Sequence, residues 1–212
     1  MNVEDYYKQA YSSNQSNIKM IDSAMLFPYI RSNVLDVGCG NGKTVCELRE
    51  KGYEAYGCDI FKAVANKGSW FFVHNMEEKP TKQKYSLIYS VHVLEHVFDY
   101  ISFLKNIRQS LADGGIFFLA VPNVYSLLSR LRFFVGDERI TLGVGEIGCV
   151  ENNRLEPHIR YFGTKSLKTI LEKNGFVVVD CFGSRNGKRH WLNRLAGQLN
   201  FVCKKVEGEL NE

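Results

Sequence analysis

Apolar residues along this chain fall into short runs, separated by stretches in which they recur every three or four positions. Val34-Leu35 with Val37, Tyr53 to Cys58, Trp70 to His74 and Ser86 to Val91 read as strands. Ile116 to Val121 is apolar throughout, as expected of a central strand covered on both faces. Helical spacing predicts helices over Lys43 to Lys51, Phe61 to Lys67 and Tyr100 to Ala112, and Asp113-Gly114-Gly115 reads as a turn. Further on, Thr164 to Lys173 predicts a helix stopped by Asn174-Gly175. A strand Phe176 to Cys181, a polar turn Gly183 to Arg189 and a last strand Leu199 to Val206 follow. Upstream, Ile21, Met25 and Tyr29 predict a helix over Ile18 to Ile30 leading into the first strand. Such alternation implies an α/β fold, a doubly wound and mostly parallel sheet with helices on both faces.

Two stretches break the pattern. Residues 1 to 16 are rich in Tyr, Ser and Asn and read as a short helix with a polar connection. Between Asn123 and Pro157 an apolar segment with Arg130 and Arg132 (Val124 to Val135) runs into a glycine-rich, loop-like piece. Long irregular excursions in compact domains tend to be functional. A substrate cover, contact with a membrane surface and plain packing all remain open for it.

The chemistry concentrates where the first strand ends, in VLDVGCGNGKT from Val34 to Thr44. Gly38, Gly40 and Gly42 let a ligand lie against bare main chain, and the N–H groups opening the next helix face it as partial positive charge. Two phosphate-binding patterns nearly fit. The dinucleotide motif needs a third Gly where Lys43 stands, and the ATP loop needs one more residue between Gly38 and Gly42. Asp36 counts against both, since a carboxylate beside a bound phosphate repels it. It suits a cation. S-adenosylmethionine carries a sulfonium and an ammonium, and its carboxylate can sit on the helix N-terminus. Asp59, at the end of the second strand, is spaced to accept hydrogen bonds from a ribose diol. Asp36 to Gly38, Asp59, Asn75 and Ser90 all fall at predicted strand ends, where open α/β sheets bind ligands.

Asp36-x-Gly38-x-Gly40, Asp59, Tyr85 to Val97 (YSLIYSVHVLEHV) and Leu111 to Asn123 (LADGGIFFLAVPN) together resemble the class I S-adenosylmethionine-dependent methyltransferases. The likeness is to the small-molecule group that includes the ubiquinone-biosynthesis O-methyltransferases, and it covers roughly residues 30 to 182. It implies a Rossmann-like sheet with an antiparallel edge hairpin. It also implies one methyltransferase domain over 1–212, with an N-terminal helical lid at 1–31 and a substrate-covering insertion at 123–157. Asp36, Gly38, Cys39, Gly40 and Asp59 are the expected cofactor residues, with Ile60 packing on adenine. Asn75 stands where the family often has an acid for the adenine amine, next to Met76; Ser90 and Val91 lie beneath the methionine moiety. The alternative for Asn75 and Ser90 is that of turn residues bonding their own backbone. Tyr6, Tyr7 and Tyr11 are candidate lid contacts.

Methyl transfer chiefly requires acceptor, methyl and sulfur to be held in line, and a base only if the acceptor carries a proton to be lost. His158, following the excursion, and His92 are the candidate bases. His92-x-x-Glu95-His96 matches a zinc-protease pattern, but that chemistry needs a helix and a third ligand. Some ubiquinone-pathway relatives carry Glu where His92 stands and are thought to bind Mg²⁺ there; imidazole is a poor Mg²⁺ ligand, so no metal is expected and Glu95 with His96 reads as a hydrogen-bonded structural pair. Phe133, Phe134, Tyr161 and Trp191 are candidate pocket walls.

Composition narrows the partners. A net charge of +4 with no stripe of Lys and Arg among aromatics argues against nucleic acid. The 6 cysteines form no Cys-x-x-Cys pair and there is no leader or long apolar span, which suits reduced thiols in a cytoplasmic protein. The expectation is therefore transfer of a methyl group to a small-molecule acceptor, a hydroxyl on a quinone-type phenol, sugar or secondary metabolite. The alternatives are a non-catalytic S-adenosylmethionine-binding or structural protein, and a methyltransferase acting on nucleic acid or protein.

Overall fold

The computed structural model describes residues 21–135, 158–185, 188–190, 192 and 195–206. Eight strands form one sheet: β1 Asn33–Val37, β2 Glu54–Asp59, β3 Phe71–Val73, β4 Tyr85–Val91, β5 Leu111–Pro122, β6 Phe176–Arg185, β7 Lys188–His190 and β8 Gln198–Lys205. Their order across the sheet is β3-β2-β1-β4-β5-β8-β6-β7. The five strands from β3 to β5 are parallel, and β8 runs antiparallel between β5 and β6. Helices α1 Lys43–Glu50, α2 Tyr100–Ser110, α3 Leu127–Phe134 and α4 Thr164–Lys173 complete the regular elements, with short 3₁₀ turns at Ser23–Met25, Phe27–Tyr29 and Lys62–Lys67.

Period-two alternation sorts the strand residues into two layers. Leu35, Ile88, Phe117, Leu119 and Phe201 face one side, where Phe103, Leu104 and Ile107 of α2 and Leu167 and Leu171 of α4 pack on them. Val34, Leu87, Phe118, Ala120 and Val202 face the other, against Val45 and Leu48 of α1 and Ile21 and Leu26. Each such buried aliphatic or aromatic side chain contributes about 1.5–3 kcal/mol. The i, i+4 pair Leu167–Leu171 fixes the face that α4 buries, and Asp99 starts α2 by accepting from the Ser102 N–H at 3.0 Å.

The α/β layout follows the alternation in the sequence. Four local readings need correction. The helix expected over Ile18 to Ile30 is instead two 3₁₀ turns in its described part, because Pro28 and the Asp22 cap break the run. Phe61 to Lys67 likewise winds as 3₁₀ from Lys62. The polar run Gly183 to Arg189 is no simple turn: β6 continues to Arg185 and pairs with β7, an edge where polar side chains face water. Asp113-Gly114-Gly115 is absorbed into β5 as an irregularity in its pairing with β4, Gly114 taking φ 66°. The expected lid tyrosines 6, 7 and 11 and the glycine-rich part of the excursion from 136 to 157 lie outside the described residues.

Candidate functional site

The β1 end, the loop after it and the β2 end make one corner. Gly38, Gly40 and Gly42 have φ of 78°, 51° and 74°, a left-handed backbone that costs other residues about 1–2 kcal/mol. The Gly38 and Cys39 N–H groups both donate to the Cys58 carbonyl, at 2.9 and 3.1 Å, which ties the loop to β2. A Cβ at Gly38 would overlap Val93, and one at Gly42 would stand 2.5 Å from Phe71 Cζ. At Gly40 it would meet nothing within 4 Å. Gly38 and Gly42 are therefore demanded by packing; Gly40 is the position whose open side faces outward. Gly42 gives α1 no side-chain cap; Asn41 Oδ1 accepts from the Lys43 N–H at 3.1 Å, and the next N–H groups of the first turn keep the helix N-terminus electropositive.

Two carboxylates flank that loop. Asp36 lies in register with Tyr89 of β4, and its Oδ2 accepts from the Tyr89 hydroxyl at 2.8 Å. Burial pushes its pKa up to about 7, the Tyr89 bond pulls it down, and nearby Asp59 pushes it up. Asp59 accepts from the Gly40 N–H at 2.9 Å through one oxygen and from the Phe61 N–H at 3.2 Å through the other. Burial raises its pKa against those backbone donors. A carboxylate has about four acceptor sites, so both oxygens keep capacity for a ligand. Cys39 and Cys58 are buried beside the two acids, and burial pushes both thiols up.

The remaining sequence-predicted positions divide. Ile60 is half-buried directly after Asp59. Asn75 accepts from the Glu77 N–H and donates to Glu78, both at 3.0 Å, so its amide is engaged in its own turn. Met76 is a core side chain whose carbonyl accepts from Asn106 at 2.8 Å. Ser90 is fully buried and donates to the Val37 carbonyl at 3.2 Å, stitching β4 to β1; Val91 is half-buried above it. Trp191 and the Phe133 side chain lie outside the described part.

After β4 the chain turns sharply. His92 is the described non-glycine residue with positive φ, 56°, a strain that persists where surroundings over-determine it. It brings His92 Nδ1 to 3.5 Å from Glu95 Oε1, and His158 Nε2 lies 4.0 Å from the same oxygen. The His96 and His158 rings stand 4.7 Å apart, with Tyr161 edge-on to His158 at 5.6 Å. Glu95 is 0 % exposed, and neither carboxyl oxygen has a hydrogen-bond partner among the described residues. The expected Glu95–His96 hydrogen bond is therefore not formed. Burial pushes the Glu95 pKa up to about 8 and pulls that of His158 down. The segment carrying His158 is pinned by the Ile159 N–H donating to the Glu95 carbonyl at 3.0 Å and by Arg160 donating to the Val97 and Phe98 carbonyls.

Glu95, His96 and His158 offer ligand atoms within 4.8 Å of one another. With His92 adjacent, that is three imidazoles to one carboxylate. Mg²⁺ wants an octahedron of oxygens, so this set does not fit the Mg²⁺ that some ubiquinone-pathway relatives are thought to bind at this cluster. Sequence reasoning missed Tyr89, Gln198 and Asn200; the signal was polar groups inside otherwise apolar strands, which buried positions carry only when bonded.

The family profile described as Methyltransferase domain matches residues 15–180. The human mitochondrial ubiquinone biosynthesis O-methyltransferase is 24% identical over 204 residues, covering 87% of this chain and 53% of that protein. This chain thus spans about half the length of that relative. An uncharacterized protein of Methanocaldococcus jannaschii is 25% identical and covered over 92% of its length, 98% of this chain. Among solved structures, the CcbJ methyltransferase of Streptomyces caelestis superposes with a TM-score of 0.65 at 15% identity, covering 87% of this chain and 93% of its own. The glycopeptide N-methyltransferase MtfA, complexed with S-adenosylmethionine, gives 0.61 at 10% identity, with 96% and 98% covered. No helix among the described residues is long and apolar enough to cross a membrane.

Proposed function

Because the chain belongs to the methyltransferase domain family and is an S-adenosylmethionine-dependent methyltransferase, we propose that its acceptor is a small molecule methylated on a hydroxyl. The observation that carries this reading is the group of Glu95, His92 and His158 gathered beside the end of β4, with the Glu95 carboxyl fully buried between two half-buried imidazoles. A hydroxyl must give up its proton during transfer, whereas a neutral amine attacks without help. Two imidazoles beside the cofactor strands, His92 and His158, suit the first case. The resemblance to a ubiquinone biosynthesis O-methyltransferase favours a phenol or quinone-type acceptor.

In this reading Asp36 attracts the cationic end of S-adenosylmethionine, and the open side of Gly40 with Gly38 and Cys39 receives its main body. Asp59 accepts from the ribose and Ile60 covers adenine; the Asn75-Met76 turn and the Ser90-Val91 strand end bound the rest, although the Asn75, Met76 and Ser90 side chains are already engaged within the protein. The cofactor supplies an electrophilic methyl group. The protein's share is to hold the acceptor oxygen in line and take its proton, for which His158 and His92 are the two candidate bases. Tyr161, edge-on to His158, would orient an aromatic acceptor. Residues 123–157 are assigned as the acceptor's cover; of the expected lid over 1–31, the part from Ile21 is packed in the core, which leaves the lid role to the residues before it. Leu127, Leu128, Leu131 and Phe134 of α3 are exposed, as a cover with a partner still to meet would have them.

The test is a panel of catechols, hydroquinones and aliphatic amines, scored by release of S-adenosylhomocysteine. Turnover confined to phenolic hydroxyls, slowed by His158→Ala with unchanged cofactor affinity, is the expected result. Turnover of amines alone would reject the hydroxyl assignment.

A further inference from the structure

A chain of side-chain amides connects the sheet interior to His92. Asn200 of β8 is fully buried and its amide nitrogen donates to the Phe182 carbonyl at 3.1 Å and to the Ser184 hydroxyl at 2.9 Å. Gln198, two residues earlier on the same strand, presents its amide nitrogen to Asn200 Oδ1 at 2.7 Å. Its other end meets His92 Nε2, also at 2.7 Å.

Every orientation in this chain follows from one fixed point. A backbone carbonyl only accepts, so Asn200 must turn its NH₂ toward Phe182 and its oxygen toward Gln198. Gln198 must then donate to Asn200, which turns its own oxygen to His92. An oxygen facing Nε2 requires a hydrogen there. In neutral imidazole the other nitrogen, Nδ1, then carries the lone pair. The amide orientations, ordinarily a matter of assignment, are here dictated by a single carbonyl.

We propose that Gln198 and Asn200 are positioning residues that hold His92 in its Nε2–H tautomer, so that Nδ1 is the nitrogen that receives the acceptor's proton. The inference rests on the reading of His92 as a base in methyl transfer. In the reacting step the acceptor oxygen bonds to the methyl carbon and the carbon–sulfur bond breaks, its electron pair staying on sulfur. The hydroxyl proton passes to His92 Nδ1. That nitrogen lies 3.5 Å from Glu95 Oε1, with His158 Nε2 4.0 Å from the same oxygen, so the imidazolium forms beside a buried carboxyl and a second imidazole. Gln198 meanwhile keeps the opposite nitrogen bonded and the ring from turning. His92 pays for its place in backbone strain, and β8, through Gln198, holds it there.

The decisive measurement is the imidazole ¹⁵N spectrum of the full chain with ¹⁵N-labelled histidine, His92 being identified by the signal missing from His92→Gln. Above its titration range, His92 is expected to show a protonated Nε2 and an unprotonated Nδ1. That form should exceed the other by more than about tenfold, the scale set by one buried donor left unsatisfied. Gln198→Met should reduce the excess below about threefold. A wild-type His92 protonated at Nδ1 would overturn the proposal without any variant. So would a Gln198→Met protein, folded by its melting curve, with the excess intact. Failure of the underlying reading is separable: His92→Gln turning over at the wild-type rate would remove His92 from the reaction while leaving the tautomer measurement as found.

Discussion

Two of the three glycines in the cofactor loop, Gly40 and Gly42, should separate stability from binding. At Gly42 the backbone is left-handed, φ 74°, and a Cβ would stand 2.5 Å and 2.6 Å from Phe71 Cζ and Cε1. Phe71 is itself buried between β2 and α1, so the ring has little room to retreat. Gly42→Ala therefore costs about 1–2 kcal/mol for the backbone and about 1–3 kcal/mol for overpacking, some 3 kcal/mol together. For a chain of this size each kcal/mol lowers the melting temperature by roughly 2–4 °C, so a fall of about 6–12 °C is expected. At Gly40 the backbone is also left-handed, φ 51°, but a Cβ meets nothing within 4 Å. Gly40→Ala should cost only the backbone share of about 1–2 kcal/mol. Its new methyl group, however, projects into the space assigned to S-adenosylmethionine, and affinity should fall by at least about tenfold, about 1.4 kcal/mol. Calorimetric melting and isothermal titration with S-adenosylmethionine and S-adenosylhomocysteine read the two effects independently. Gly40→Ala binding both compounds as tightly as the wild type would refute the placement of the cofactor on that face.

Other outcomes follow from the buried acids. With Asp36 held near 7 by burial in the cofactor-free protein, affinity for the cationic cofactor should fall as pH drops below about 7, by up to about tenfold per unit, in titrations across pH 5.5 to 8.5. Tyr89→Phe removes the donor that favours the charged form of Asp36, and should raise the pH at which that affinity is half lost. Glu95 is pushed from 4.5 to about 8, so its stabilising share is full below about pH 4.5 and is lost as pH rises through 8. Glu95→Gln, which cannot ionise, should flatten the wild-type decline of melting temperature between pH 5 and 8; an unchanged slope would show that Glu95 is not its source. His158→Ala should leave cofactor affinity within about twofold and depress kcat, as expected of a group that meets the acceptor and not the cofactor.

The parts of the molecule readable from sequence are those fixed by neighbours along the chain. The β1–loop–α1 unit is one: its glycines, its acid and the helix it opens lie within fifteen residues, and local sterics determine them. Helix α4 is another, set by its own apolar spacing and the Asn174-Gly175 stop. Pairing across the sheet is a different matter. Leu199 to Val206 read as an apolar strand, and nothing local says that Gln198 reaches His92, 106 residues away, or that Asn200 bonds β6. The same holds for Glu95, whose environment is made by His158 from a distant segment. The Ile18 to Ile30 helix was misread because apolar spacing was weighed without Pro28, which ends such a run.

The placing of β8 bears on how the protein is made. It is last in the chain order of the described strands, yet it occupies the gap between β5 and β6. During synthesis the ribosome releases β1 to β5, then β6, while the slot between them stays vacant. Two rows of unsatisfied main-chain groups are exposed throughout that interval, each a template for sticking to a neighbouring nascent chain. Only when residues 198 to 205 emerge can the two halves lock. A frameshift or stop codon shortly before position 198 would not merely shorten an edge; it would leave the sheet split through its middle.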